Sequence, residues 1–213
     1  MNSNHITRSL NQFSRNDISL ETAIYEAGHA TAICLGNKQR KLPPIFFQIF
    51  ITHDTCRMDN GWIAKIDGGR LIHTLPSSIA EATRSFTDAQ KQAYQLAFEA
   101  DIVNLLVGPL AEAKYIALRD HAPINPCLIP LQPLQYYGET SDLHTVREYL
   151  DCFITEKAEQ IAKIAELFLT ALNFINNPAH WRAIVALADY ILRVGKQKID
   201  CEEADFIIAQ QVY

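Results

Sequence analysis

The stretch ETAIYEAGHATAICL, residues Glu21–Leu35, is the main evidence for the predicted fold. Small and apolar side chains recur in it with the spacing of a helix buried on a broad face, at Ala23, Ala27, Ala30, Ile33 and Cys34. Polar residues upstream, among them Asp17 and Ser19, can cap its N-terminus, and Gly36 is predicted to end it. Gly28 and the alanines make the helix thin, so another element can approach its backbone closely.

Within this helix, Glu26 and His29 have the spacing of the second half of the H-E-x-x-H zinc-peptidase motif. In that motif two histidines on one helix face bind a zinc ion, and the glutamate activates a metal-bound water. Tyr25 stands where the first histidine would be. A free phenol has a pKa of about 10, so it must lose its proton before it can bind a metal. The helix therefore predicts either an altered metal site or a fold that has kept the helix without the metal.

A small antiparallel sheet is predicted after this helix. Residues 45–51 form a β-branched and aromatic run, and residues 61–66 alternate in polarity, so both segments are typical of strands. The fold class is α+β, mostly helical, with a small antiparallel sheet. Residues 1–16 are predicted to be a polar tail, and residues 17–213 a single domain because no linker clearly divides them.

Most of the remaining chain has helical periodicity. The predicted helices cover residues 88–119, about 142–174, 180–192 and 202–210. Pro109 should break or kink the first of these or start a new helix, because proline lacks the backbone N–H and clashes with the preceding turn. Residues 120–137 contain four prolines and are predicted to be an extended loop.

Composition limits the class of protein. Hydrophobic residues make up 48% of the 213 residues and charged residues 20%, which is typical of a globular protein. The formal net charge of −5 argues against nucleic acid as the main partner, because phosphate binding needs a basic surface. No apolar run approaches the roughly 18 residues of a membrane span, and the N-terminus lacks a signal-peptide pattern. We therefore expect a cytoplasmic protein without a membrane span.

Three short stretches, in order, resemble the peptidase domain of the FtsH-like ATP-dependent zinc metalloproteases. Residues 26–30, EAGHA, resemble the end of the family's HEAGHA motif. Residues 107–113, VGPLAEA, resemble its G-G-R-x-A-E-E segment, with Pro109 in place of the second glycine. Residues 138–143, GETSDL, resemble its G-A-S-N-D-[IL] segment. The resemblance implies a zincin-like helical peptidase domain, although the chain has no Walker A loop.

The resemblance also implies roles for individual residues. His29 and Asp142 would be zinc ligands, and Glu26 would be the general base that holds the nucleophilic water. Tyr25 would be a doubtful third ligand, which leaves zinc as the expected cofactor of a weakened site. Glu112 would accept a hydrogen bond from a ligand histidine N–H, with a surface or helix-capping role as the alternative.

Two alternatives remain open at this site. His144 could replace the missing ligand, but on a helix it would point roughly 200° away from Asp142. Without a metal, Tyr25, Glu26 and His29 would instead form a buried hydrogen-bond cluster. Asp142 is equally explained as an acidic residue at a helix N-terminus.

Three functions are compatible with these residues. The first is a zinc metallopeptidase that acts on peptides or unfolded chains, with a partner ATPase as their source and the strand at 45–51 pairing with an extended substrate. The second is a metal-free pseudopeptidase that serves as a binding or regulatory module. The third is a helical interaction protein in which EAGHA occurs by chance.

Overall fold

The computed structural model describes residues 18–53, 62–121 and 141–212. Within them the elements are, in order, α1 (Leu20–Thr31), a π-helical turn (Ala32–Gly36), α2 (Asn37–Gln39), β1 (Phe47–His53), β2 (Trp62–Gly68), α3 (Ile79–Ala82), α4 (Asp88–Arg119), α5 (Ser141–Phe153), α6 (Lys157–Asn176), α7 (Pro178–Arg193), β3 (Lys198–Asp200) and α8 (Cys201–Val212). The described chain is thus mostly helical with a small antiparallel sheet, which confirms the predicted class. The predicted tail and most of the predicted loop at 120–137 lie outside the described residues. Within the described ranges, no helix combines the length and apolar character needed to cross a membrane.

Helix α1 begins where a polar cap was predicted but does not end where expected. The Ser19 side chain accepts a hydrogen bond from Thr22 N at 3.1 Å and caps the helix. The predicted end at Gly36 is wrong, because the chain continues through the π-helical turn into α2. Gly36 has φ −64° and ψ −44°, which is the right-handed helical conformation and not the left-handed one of a terminating glycine.

Helices α1 and α4 approach each other closely at Gly28. A Cβ atom added to Gly28 would lie 3.0 Å from Ala111 Cβ and 3.2 Å from Gly108 Cα. The predicted interruption at Pro109 does not end α4, which is one helix of 32 residues. Because the middle of α4 is buried against α1 and α6, tertiary packing offsets the roughly 3 kcal/mol that a proline costs inside a helix.

The single helix predicted over 142–174 is instead two helices, α5 and α6. Helix α5 ends at Phe153, and the residue before α6, Glu156, has the extended values φ −84° and ψ 122°. Gln160 Nε2 donates to the carbonyl of Ile154 at 2.6 Å and so satisfies a backbone acceptor at the break. The turn lets α6 pack along α4 while α5 carries Asp142 to the site.

The sheet has the order β2-β1-β3, with both neighbours antiparallel to β1. The predicted pairing of the two long strands is confirmed, with Ile49 opposite Ile66. The short strand β3 was missed, since three residues carry too little alternation to be recognised. The expectation that the strand at 45–51 is an edge strand that pairs with an extended substrate is wrong, because β3 covers the other side of β1. The strand edge that faces α1 belongs to β2.

Candidate functional site

The predicted site residues converge around a cavity of about 450 Å³. Helix α1 contributes Tyr25, Glu26 and His29, and α5 contributes Asp142. His29 Nε2 lies 3.2 Å from Asp142 Oδ2, although the two residues are far apart in sequence. The wall opposite α1 is the outer edge of β2, and α4 contributes Glu112.

The backbone of α4 sets the orientation of His29. The Nδ1 atom lies 2.7 Å from the carbonyl oxygen of Asn104. Because a carbonyl only accepts, Nδ1 carries the hydrogen, and in the neutral ring Nε2 has a free lone pair. Nε2 is buried and has no hydrogen-bond partner. A Cβ atom on Gly108 would lie 2.2 Å from Nε2, so the ring fits only because residue 108 has no side chain.

Tyr25 acts as a hydrogen-bond donor in this arrangement. Its hydroxyl donates to Asp142 Oδ2 at 2.5 Å, and its ring lies edge-on to the His29 ring with 4.8 Å between centroids. Burial and the neighbouring Asp142 carboxylate both raise the pKa of the phenol above its ordinary value. The phenol therefore keeps its proton at neutral pH.

Asp142 and His29 stabilise each other's charged forms. Burial alone would raise the pKa of Asp142, but His29 and Tyr25 outweigh it and lower that pKa. Burial would likewise lower the pKa of His29, but Asp142 and Glu26 outweigh it and raise that pKa. The two side chains meet as an ion-pair contact of 3.2 Å between Nε2 and Oδ2. At that distance a lone pair on Nε2 and a lone pair on Oδ2 would repel each other. A positive charge is therefore needed between them, either as a proton on Nε2 or as a bound cation.

Glu26 connects α1 to the sheet. Its Oε2 atom accepts a hydrogen bond from the backbone N–H of Ile66 in β2 at 2.8 Å. Burial raises the pKa of Glu26, and the charge of His29 opposes that rise. Glu26 is only 8% exposed and lines the cavity, with one carboxylate oxygen held by the strand.

Glu112 lines the cavity without taking the role implied by the resemblance. The His29 N–H that was expected to reach Glu112 goes to the Asn104 carbonyl. Burial, and then the charge of Glu21, raises the pKa of the Glu112 carboxyl. Among the described residues, no hydrogen bond to the Glu112 side chain is formed.

The residues fit two ligands of a catalytic zinc site and not a third. With bonds of about 2.0–2.1 Å, neighbouring ligand atoms of a tetrahedral zinc lie roughly 3.3 Å apart. His29 Nε2 and Asp142 Oδ2, at 3.2 Å, match that separation. The Tyr25 oxygen, at 2.5 Å from Asp142 Oδ2, is too close to be another ligand of the same ion and has its proton in between.

The other candidate ligand lies elsewhere. The side chain of His144 is 69% exposed and pairs with Glu148 at 3.5 Å along the outer face of α5. Among the described residues, no group of three or more histidine, cysteine, aspartate or glutamate side chains is arranged to hold a metal ion. A complete three-ligand site is therefore not assembled from these residues.

A buried carboxylate that the sequence did not single out fixes the helix bearing Asp142. Asp101 on α4 accepts hydrogen bonds from the backbone N–H groups of Leu71 and Ile72, at 2.9 and 2.8 Å. The hydroxyl of Tyr149 on α5 lies 3.0 Å from both Asp101 Oδ2 and the Ile72 carbonyl. The network joins α4, α5 and the loop after β2. In the sequence, the feature that could have indicated this network is an acidic residue, Asp101, inside an apolar helical segment.

Comparison with known proteins assigns no family. No protein-family model matches the chain, and neither a curated protein nor a solved structure matches it. The resemblance to FtsH-like peptidases therefore rests on the three short stretches of sequence. In the fold, the second stretch packs on the first, since Gly108 and Ala111 contact Gly28.

Proposed function

We propose that this protein is a pseudopeptidase, a peptide-binding module on a metallopeptidase-like scaffold. The observation that carries the proposal is the hydrogen bond from the Tyr25 hydroxyl to Asp142 Oδ2. In this bond the donor is Tyr25, the side chain that would have to be a metal ligand. The bond also occupies an oxygen of the Asp142 carboxylate that a zinc ion would need. A catalytic zinc takes three protein ligands and an open position, and here two ligands remain.

The outer edge of β2 supports the binding of an extended peptide. The Ile66 N–H points away from β1 and toward Glu26. Because residues two apart on a strand have the same orientation, the N–H and C=O of Ala64 also point away from β1. Ala64 lines the cavity, and β2 has a neighbouring strand on one side only within the described sheet. A peptide can therefore add to β2 as a further strand next to Glu26. This edge replaces the strand at 45–51 that the sequence favoured.

One observation favours a second function, a zinc metallopeptidase with a weakened site. The Nε2 atom of His29 is buried without a hydrogen-bond partner. It is 3.2 Å from Asp142 Oδ2, which is the separation expected of two ligand atoms on one zinc ion. When bound, zinc would polarise a water molecule for hydrolysis. The two functions differ in metal content and in sensitivity to chelators.

The test is to measure metal content and peptide binding on the same preparation. The full chain is produced with zinc in the medium, its metal is quantified, and its binding to fluorescein-labelled β-casein, an unfolded chain, is followed by anisotropy. We expect sub-stoichiometric metal, binding that EDTA does not change, and no cleavage. Stoichiometric zinc that is lost in His29→Ala, together with EDTA-sensitive cleavage, would establish the peptidase instead.

A variant at the strand edge tests where the peptide binds. Ala64→Pro removes an outward N–H and should abolish binding, because proline cannot donate to a paired strand. Asp189→Asn, at an exposed carboxylate paired with Arg193 on α7, is the matched control and should bind normally. Circular dichroism of both variants confirms that the fold is intact.

A further inference from the structure

We infer that Glu26 ends strand addition on β2, so that a bound peptide pairs with Ala64 and leaves the strand edge at Ile66. The inference rests on the proposed function, because it specifies which peptides this edge takes. The partner is a short extended segment that turns or terminates beside Ile66, and not a long continuous strand. The observation behind it is the hydrogen bond from the Ile66 backbone N–H to Glu26 Oε2, at 2.8 Å.

The outer edge of β2 presents the backbone groups of every second residue. The N–H and C=O groups of Ala64 and Ile66 point away from β1. An added antiparallel strand exchanges two hydrogen bonds with each outward residue, one through its N–H and one through its C=O. At Ile66 the N–H already donates to Glu26, so an added strand could form at most one of the two bonds there.

A peptide carbonyl would not displace the Glu26 carboxylate. A hydrogen bond to a charged group is roughly twice as strong as one between neutral groups. Displacement would also take this donor away from a carboxylate that is only 8% exposed, which is unfavourable. Without displacement the peptide carbonyl would lie against a carboxylate oxygen, and both atoms only accept. The peptide backbone must therefore turn away at Ile66.

Helix α1 holds Glu26 in place at the strand edge. The neighbouring Ala27 is fully buried. At Gly28 the helix packs so closely on α4 that an added Cβ would lie 3.0 Å from Ala111 Cβ and 3.2 Å from Gly108 Cα. A close-packed interior has low compressibility, so the helix does not shift to make room for a longer strand.

The edge also ends soon after Ile66. Strand β2 stops at Gly68, and Gly68 and Gly69 have φ values of +85° and +79°, in the left-handed region that favours glycine. The Gly69 N–H donates to the carbonyl of Phe46 at 3.0 Å. Ile66 is therefore close to the end of the usable edge, and Glu26 removes it from pairing.

A short edge selects among peptides. An open strand edge can pair with any long strand, including an aggregating one, and folded proteins limit such edges. A carboxylate that occupies one N–H of the edge has that effect at Ile66. A segment that is extended beside Ala64 and then turns, or a chain end, avoids the carboxylate, whereas a long strand would bring a carbonyl against it.

Amide hydrogen exchange on the wild-type protein tests this stop. The probe is an eight-residue peptide of alternating valine and threonine, added at saturating concentration to the ¹⁵N-labelled full chain. We expect the peptide to slow exchange of the Ala64 N–H at least about tenfold and to change exchange of the Ile66 N–H by less than about twofold. Comparable slowing at both residues would show that the peptide displaces Glu26 and would overturn the inference.

A variant tests whether the carboxylate is the cause. Glu26→Ala frees the Ile66 N–H, so the peptide should now slow exchange at Ile66 as it does at Ala64. By anisotropy, the peptide labelled with a dye should bind this variant about fivefold more tightly than wild type, as expected for one additional hydrogen bond. Asp189→Asn is the control and should match wild type in both measurements. Unchanged exchange and affinity in a folded Glu26→Ala would overturn the stop.

The outcomes separate this inference from the proposed function. If Glu26→Ala does not fold, the exchange pattern of the wild-type protein decides between them. Slowing at Ala64 and Ile66 together overturns the stop and leaves peptide binding on β2 in place. Slowing at neither residue, or failure of both the peptide and β-casein to bind, overturns the proposed binding on β2 itself.

Discussion

The hydroxyl of Tyr25 donates a hydrogen bond to Asp142 Oδ2 across 117 positions of the chain, with 2.5 Å between the two oxygen atoms. The bond joins the motif helix α1 to the first turn of α5. It also makes Tyr25 a donor to the carboxylate that the family resemblance assigns to zinc. Whether the site binds a metal or a peptide group therefore depends on this contact.

Removing the Tyr25 hydroxyl should destabilise the fold. Tyr25→Phe keeps the ring against His29 but leaves Asp142 without its donor, and we expect a loss of about 1–3 kcal/mol in the free energy of unfolding. Urea unfolding measures the change. Tyr94→Phe is the control, because the Tyr94 hydroxyl has no hydrogen-bond partner among the described residues, and it should change stability little. Equal effects of the two variants would contradict a stabilising role for the bond.

Restoring the histidine should restore metal binding. Tyr25→His places two imidazoles four residues apart on α1, beside Asp142. Loss of even an outer-shell partner lowers metal affinity 10- to 100-fold, so a regained ligand should raise zinc affinity by about a hundredfold or more. Competition with a chromogenic chelator measures it. The double variant Tyr25→His/Asp142→Asn should lose the gain, and an unchanged affinity in the single variant would show that these side chains do not form a common site.

A side chain at position 108 should displace His29. In Gly108→Ala the new Cβ would lie 2.2 Å from His29 Nε2, so the ring or the helix must move, and overpacking of this kind costs about 1–3 kcal/mol. Gly36→Ala is the matched control, because its Cβ would lie 3.0 Å from the flexible end of Arg40 and at ordinary contact distances, 3.7 and 3.9 Å, from Asn104 and Phe174. Thermal unfolding should show a lower midpoint for Gly108→Ala alone. Equal midpoints for the two variants would contradict the close packing of His29 on Gly108.

The Tyr149 hydroxyl should affect the site from a distance. Tyr149→Phe removes the hydroxyl that lies 3.0 Å from both the buried Asp101 carboxylate and the Ile72 carbonyl, and it should cost about 1–3 kcal/mol of stability. Because Tyr149 and Asp142 are on the same helix, the affinity for β-casein should also fall. Urea unfolding and anisotropy measure the two effects. Stability and affinity that both match wild type would show that the network does not position α5.

Two buried histidines should give opposite pH dependences. The folded-state pKa of His29 is raised above its unfolded value of about 6.5, so the stability it contributes is present below that pH and lost as the pH rises through the folded pKa. Burial lowers the pKa of His180, whose Nδ1 donates to Phe174 O and whose Nε2 accepts from Gln39. Its contribution is present above about pH 6.5 and lost as the pH falls through the folded pKa.

Two substitutions test these signs. The stability difference between wild type and His29→Gln should shrink as the pH rises above about 6.5, and the difference for His180→Gln should shrink as the pH falls below it. Urea unfolding from pH 5 to pH 8 measures both series. The same slope in the two series would contradict the opposite charge states inferred for the two rings.

Much of the fold could be predicted because its signals are local. The spacing of Ala23, Ala27 and Ala30 predicts the buried helix, and the alternation in residues 61–66 predicts a strand that the structure places at Trp62–Gly68. The closeness of His29 and Asp142 was implied by the family resemblance and is present in the structure. By contrast, the end of α1 and the break at Glu156 were missed, since they depend on how neighbouring helices pack.

The helix that carries Tyr25, Glu26 and His29 can be predicted without the structure, because helical periodicity is encoded within a few turns. The hydrogen bonds of these three side chains, in contrast, depend on tertiary contacts. Asn104 sets which His29 nitrogen is free, and Asp142 makes the Tyr25 phenol a donor. Both partners are contributed by helices far away in sequence, and burial makes their hydrogen bonds and charges decisive. No local pattern encodes such contacts.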